Sequence, residues 1–169
     1  MVKKIALFSL FCILTLCTTL IAEDIAGFWK SINDKSGKPE SIIAIYKYQD
    51  KYYGRIIGTF DDAGKMDDSI YNPKGRAPGV KGNPFYCGMD IIWDLHHKGS
   101  KYKGKILDPQ KGNVYNAQLW VKNGNLIVRG EILFFGRNET WPPAVDSDFP
   151  RGFKKPDVAK FDPLIPEVN

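Results

Sequence analysis

Asn123-Gly124, set between the alternating runs NVYNAQLWVK and NLIVRGEIL, constrains this chain more than any other feature. A two-residue turn that matches the twist of its strands needs positive φ at both central residues, and Asn-Gly supplies it readily. Folding the flanks about this dipeptide sets Val121 opposite Leu126, Leu119 opposite Val128, Ala117 opposite Gly130 and Tyr115 opposite Ile132. That face is wholly apolar or small. The other carries Asn116, Gln118, Trp120, Asn125, Arg129 and Glu131. The hairpin therefore has an inside and an outside, and a slip of one residue would exchange them.

The same grammar recurs. SIIAIYKYQDKYYGRIIGTF reads as strands near 41–48 and 52–60 around Gln49-Asp50-Lys51, and DIIWDLHHKGSKYKGKIL turns near Lys98-Gly99-Ser100. In the latter, Tyr102, Gly104 and Ile106 alternate with Lys101, Lys103 and Lys105, which gives a wet lysine face protected from edge pairing. With a strand around Ile25–Ser31 the count is seven, or eight. No stretch has helical period. Short alternating strands between turn signals predict an all-β, antiparallel up-and-down barrel.

Two segments stand outside this meander. Residues 61–86 form a long Gly/Pro/Lys connection, a length that belongs to functional or disordered loops. Read as a lid or docking loop without regular structure, it could be shortened with little loss of stability, since loop length enters only logarithmically. From Trp141 onward the chain holds six prolines. We expect residues 142–169 to run extended as a strap packed on a barrel formed by residues 23–141.

At the other end, Lys3 and Lys4 precede the apolar run Ile5 to Leu20 and the small Ala22, the pattern of a secretory signal peptide over residues 1–22. Thr15, Thr18 and Thr19 interrupt the run, which is shorter than the roughly 20 apolar residues of a membrane span. The expectation is a secreted or periplasmic chain with no membrane span after cleavage. Cys12 and Cys17 lie in the leader, which leaves Cys87 to behave as a small buried hydrophobe. Loss of Lys3 and Lys4 lowers the net charge from +5 to +3. That modest excess is mixed with acids and argues for solubility, with no nucleic-acid partner.

Gly27-Phe28-Trp29 places a large indole almost at the expected mature start. A barrel has an open base, and a Trp on the first strand can close it while Gly27 leaves room for neighbouring backbone. Lipocalins show the same Gly-x-Trp, with an arginine from the last strand over the indole. Arg137 occupies that place here, with Arg129 as the second choice, a contact of about 0.5–2 kcal/mol. Beyond this pair, Gly104-x-Ile106-x-Asp108-Pro109-x-x-Gly112-x-x-Tyr115 and Arg129-Gly130 followed by Gly136-Arg137-x-x-x-Trp141 resemble an exported bacterial family, domain of unknown function 2147. The resemblance covers about 26–141. It implies a lipocalin-like fold and carries no established activity. Trp141-Pro142-Pro143 departs from the Trp-x-Arg that often follows in that family.

Catalytic signatures are missing from the sequence. It has no Gly-x-Ser-x-Gly, no His-Glu-x-x-His, no phosphate-cradling loop and no zinc-spaced cysteine pair. His96 and His97 are adjacent on a strand and point to opposite faces, and the acids around Gly64 lack EF-hand spacing. A non-enzymatic chain without metal or cofactor is expected. The remaining feature is a cavity, since a closed sheet of about eight strands can hold one small ligand. Gly54, Gly104 and Gly130 beside Tyr102, Tyr115, Leu119, Val128 and Ile132 fit either an aromatic-lined hollow or strand crossings in a filled barrel. Tyr46 and Trp93 are placed near the mouth, with Arg55 to meet an acid head group. The leading expectation is an exported binding protein for a small, largely apolar, fatty-acid-like ligand. The alternative is an interaction module acting on an envelope or host component through residues 61–86.

Overall fold

Alternation in sequence becomes one antiparallel sheet in the computed structural model, which describes residues 23–33, 35–133 and 135–168. The expected leader, residues 1–22, lies outside the described residues. The strands are β1 (Gly27–Ile32), β2 (Pro39–Tyr48), β3 (Lys51–Phe60), β4 (Met66–Ser69), β5 (Asp90–Lys98), β6 (Lys101–Asp108), β7 (Asn113–Lys122), β8 (Asn125–Ile132) and β9 (Phe135–Trp141). They pair in the order β1-β2-β3-β5-β6-β7-β8-β9, and β4 adds to β3. Closure comes from the chain just past β9. Lys30 N–H donates to the Pro142 carbonyl at 2.9 Å, Ala144 N–H donates to that of Phe28 at 2.8 Å, and Trp29 bridges Pro143. The result is a nearly closed up-and-down barrel of eight strands. Among the described residues no helix is long and apolar enough to cross a membrane.

The Asn123-Gly124 hairpin has the expected register, with Val121 opposite Leu126, Leu119 opposite Val128 and Ala117 opposite Gly130. Both turn residues sit at positive φ, 54° and 74°. The other two lower turns are also two residues long, Gln49-Asp50 between paired Tyr48 and Lys51, and Gly99-Ser100 between paired Lys98 and Lys101. These three turns and the start of β1 make the lower end of the barrel. The β1–β2, β3–β5, β6–β7 and β8–β9 connections make the upper end.

The lower half is filled. Ile43, Ile45, Ile92, Leu95, Leu119, Leu126 and Val128 are buried inside it, together with Trp29, Tyr102 and Trp141. The small inward residues mark crowding. A Cβ on Gly54 would stand 2.9 Å from both Ile45 Cδ1 and Ile92 Cβ, and one on Gly104 would stand 2.5 Å from the Trp93 carbonyl oxygen. The first glycine makes room for two isoleucines. The second lets β6 approach the bulge of β5, where Asp94 has φ +55°.

A second core lies outside the sheet. Ile42, Ala44, Ile57 and Met66 face outward and are buried against Ala144, Phe149, Phe153, Val158 and Phe161 of the C-terminal segment. Strands β2 and β3 are therefore buried on both faces, which explains the unbroken apolar run from Ile42 to Tyr46.

Residues 61–86 are built differently from the expectation of a loop without regular structure. Strand β4 pairs with β3, and the Asp68 carboxylate accepts from the N–H groups of Lys74 and Gly75 at 3.0 and 2.8 Å. Ala77 and Val80 are buried in the main core. A Cβ on Gly79 would fall 2.2 Å from the Gly112 nitrogen, so the connection lies backbone-to-backbone on the β6–β7 turn. Lys81 N–H donates to the Glu167 carbonyl at 2.9 Å, joining connection and strap. Its Gly and Pro residues serve a pinned path rather than a free one.

Candidate functional site

The filled lower barrel leaves space at the upper end, where a recess of about 620 Å³ opens. Its floor and walls are Ile56 of β3, Ile91 of β5, Ile106 of β6 and Trp141 of β9, with Tyr86 from the long connection. The polar groups come from the inward rows of neighbouring strands. Ser31 lies two residues beyond Trp29 on β1, and Ser41 two before Ile43 on β2. The two are paired across the strands, and their hydroxyls share a hydrogen bond of 2.6 Å. Glu139 accepts from the Trp141 indole N–H at 3.0 Å and holds that ring in place. Burial, followed by the Asp108 charge, raises the Tyr86 pKa, so its hydroxyl is neutral where it meets the recess.

The rim is acidic. Glu40, Asp61, Asp62, Asp108 and Glu139 line the recess, against one cation, Lys38. The Lys38 ammonium donates to the backbone carbonyl of Asp62 at 3.2 Å. An apolar floor, two hydroxyls and a carboxylate rim suit a small amphiphile held by burial and hydrogen bonds, in the usual size range of small-molecule sites.

None of the sequence-selected ligand residues lines this recess. Tyr102, Leu119 and Val128 are core of the filled half, and Tyr102 packs edge-on to Tyr52 at 5.0 Å. Tyr115 is half-buried on β7 opposite Ile106. Trp93 is half-buried, sits at the β5 bulge and packs against the core. Tyr46 and Arg55 lie on the outer face, under the strap. The Arg55 guanidinium donates to both oxygens of Asp90 at 3.1 and 3.0 Å and to the Tyr46 hydroxyl at 3.1 Å. It also donates to the Asp162 carbonyl and stacks 4.4 Å over the Phe161 ring. Asp90 receives the Tyr46 hydroxyl at 2.8 Å and the Leu164 N–H. Arg55 thus meets an internal carboxylate and anchors the strap, and it is out of reach of a ligand head group in the barrel. Parity explains the error: Tyr46 continues the outward row of Ile42 and Ala44.

Trp29 is buried at the base, 8% exposed, and its indole N–H donates to the Ile25 carbonyl at 2.9 Å. Gly27, with φ +147°, lies against that ring. Arg137 is exposed on β9 opposite Gly130, and among the described residues no cation stacks on Trp29. The indole is held by its own backbone bond and by apolar packing instead. The site residues missed in the sequence were Ser31, Ser41, Ile56, Ile91, Glu139 and Trp141. The serines were legible, as polar residues on the inward rows of Trp29 and Ile43.

An up-and-down barrel closed below and recessed above defines the lipocalin-like class. Within that class, the family described as an uncharacterized protein conserved in bacteria (DUF2147) matches residues 27–142, and the chain belongs to it. The fold is similar to a solved structure titled "Protein HP1028 from the human pathogen Helicobacter pylori belongs to the lipocalin family", with a TM-score of 0.59. Identity to it is 18%, over 74% of this chain and 86% of that one. Among curated proteins none matches the sequence.

Proposed function

We propose that this chain is an exported, non-enzymatic carrier of a small, largely apolar molecule, held in the upper recess. The observation that carries this reading is the recess itself, an apolar floor of Ile56, Ile91, Ile106 and Trp141 beneath two inward serines. Export rests on Lys3, Lys4, the apolar run and Ala22. The rim carboxylates favour an uncharged or cationic head group over a fatty acid, since the one arginine proposed to meet an acid is paired with Asp90. Residues 61–86 serve the same site as a wall, through Gly75 and Tyr86.

Titration with a neutral hydrophobic dye should give one site per chain and quench tryptophan emission, because Trp141 lines the recess. Ile106 is half-buried at its wall, so Ile106→Trp should fill the space and abolish dye binding while the circular dichroism stays native. Dye binding that survives this change would move the site elsewhere. A dye that never binds the parent chain would overturn the carrier reading.

A further inference from the structure

The lysines of β6 call for an explanation that the sheet does not supply. As read from the sequence they protect an edge, yet β6 lies inside the sheet, paired with β5 on one side and β7 on the other. An inner strand has no free edge to defend. Lys101, Lys103 and Lys105 share its outer face, about 7 Å apart along the strand. Across from them on β5, Lys98 pairs with Lys101 and His96 with Lys103. Like charges set directly opposite each other destabilise a sheet. The barrel therefore carries a repulsion that its own packing does not require.

These cations border a second recess, of about 520 Å³, on the outside of the barrel, and it shares no residue with the upper one. Its floor is small, with Gly104 of β6 beside its partner Ala117 of β7. Two acids line it, and each is already engaged. Asp94 holds Lys51 at 2.6 Å, while Glu131 accepts from Arg129 at 2.6 Å and from Gln118 at 2.9 Å. The Lys105 ammonium donates to the Asn116 side-chain oxygen at 2.7 Å, an uncharged acceptor that leaves its charge in place. Lys103 is half-buried, and among the described residues neither its ammonium nor that of Lys98 makes a hydrogen bond. The Glu131 charge reaches Lys103 only through space and is shared with Arg129. Three ammonium groups thus border one concave space with no acid bonded to them. Lysine is a compact point charge that suits phosphate oxygens. Charge gathered at one concavity fits a small anion, where a polymer would need a basic track.

We propose that this outer recess binds a small molecule bearing a phosphate or diphosphate group, held by Lys98, Lys103 and Lys105. The site lies outside the barrel, so its test is independent of the upper recess. Full-length protein is titrated by calorimetry with inorganic pyrophosphate, against sodium chloride at matched ionic strength. The parent should show one site per chain. Lys98→Gln and Lys103→Gln should each bind roughly tenfold more weakly, the scale of losing one hydrogen bond to a charged group. Pyrophosphate should raise the parent's melting temperature beyond the salt control, and raise that of Lys103→Gln less. Without the anion, Lys98→Gln should melt at or above the parent's temperature, since Lys101 loses a like-charged neighbour. Affinity unchanged in both variants, or no heat beyond the salt control, would overturn the proposal. So would anion-free melting well below the parent's in both, because the lysines would then be structural. Phosphatidylglycerol vesicles separate a free ligand from a lipid head group. Flotation that depends on these lysines, without pyrophosphate binding, would assign the face to a membrane and overturn the small-molecule site.

Discussion

Tyr46 shows how a single side chain can change its meaning between sequence and structure. Its hydroxyl is both donor to Asp90 and acceptor from Arg55, beneath the strap and 1% exposed. Burial first, and then the Asp90 charge, hold its pKa far above the ordinary value of 10.0. The native chain keeps this proton where the unfolded chain releases it. The contribution is therefore full below pH 10 and is lost as pH rises beyond it. Tyr52, pushed up to about 12 mainly by burial, adds a loss of the same sign. Tyr46→Phe should cost about 1.5–3 kcal/mol at neutral pH, the scale of a buried hydrogen bond to a charged group. Its stability should then fall less steeply than the parent's above pH 10. Urea unfolding at neutral and alkaline pH tests both, and parallel curves would separate Tyr46 from the alkaline loss.

At the scale of elements, the long connection between β3 and β5 is the informative case. A free loop could be shortened almost without cost. This one places Ala77 and Val80 in the core, pairs β4 with β3 and lies on Gly112. Replacing residues 64–82 with a Gly-Ser turn would remove Met66, Ala77 and Val80 from buried sites. We expect a loss of about 3 kcal/mol or more in chemical denaturation, from burial of the two larger side chains alone. A shortened chain as stable as the parent would show that these contacts contribute nothing. Composition hid this outcome. Gly and Pro signal that a segment lacks a long regular element, and they say nothing of whether its few apolar residues find the core.

For the molecule as a whole, the barrel depends on a segment that is not a strand of it. The strap covers Ile42, Ala44, Ile57 and the buried Arg55–Asp90 pair. Ending the chain after Val145 would keep the closure by Pro142 and Ala144 but strip that cover, leaving an apolar sheet face in water. The truncated protein should bind a surface-sensitive dye strongly, melt well below the parent and self-associate. A melting temperature within a few degrees of the parent's would mean that the strap is an accessory. The same dependence ties strap to site, since Lys81 and Val80 of the connection meet Glu167 and Val168 while Gly75 and Tyr86 wall the recess.

By itself the sequence determined the hairpins, the register about Asn123-Gly124, the antiparallel meander and the family, while the β2–β3 register differs by the pairing of Lys51 with Tyr48. Those features rest on neighbours in the chain, because turn residues set φ and period-two alternation sets the faces. Tertiary structure alone decided which end of the barrel is hollow and which face Tyr46 and Arg55 occupy. Outward burial of β2 and β3 requires a segment far along the chain, as with Arg55 and Asp162. The recess requires β1, β2, β3, β5, β6 and β9 to converge. Alternation distinguishes two faces of a strand without saying which neighbour will cover either one. Only the closed barrel and its strap assign them.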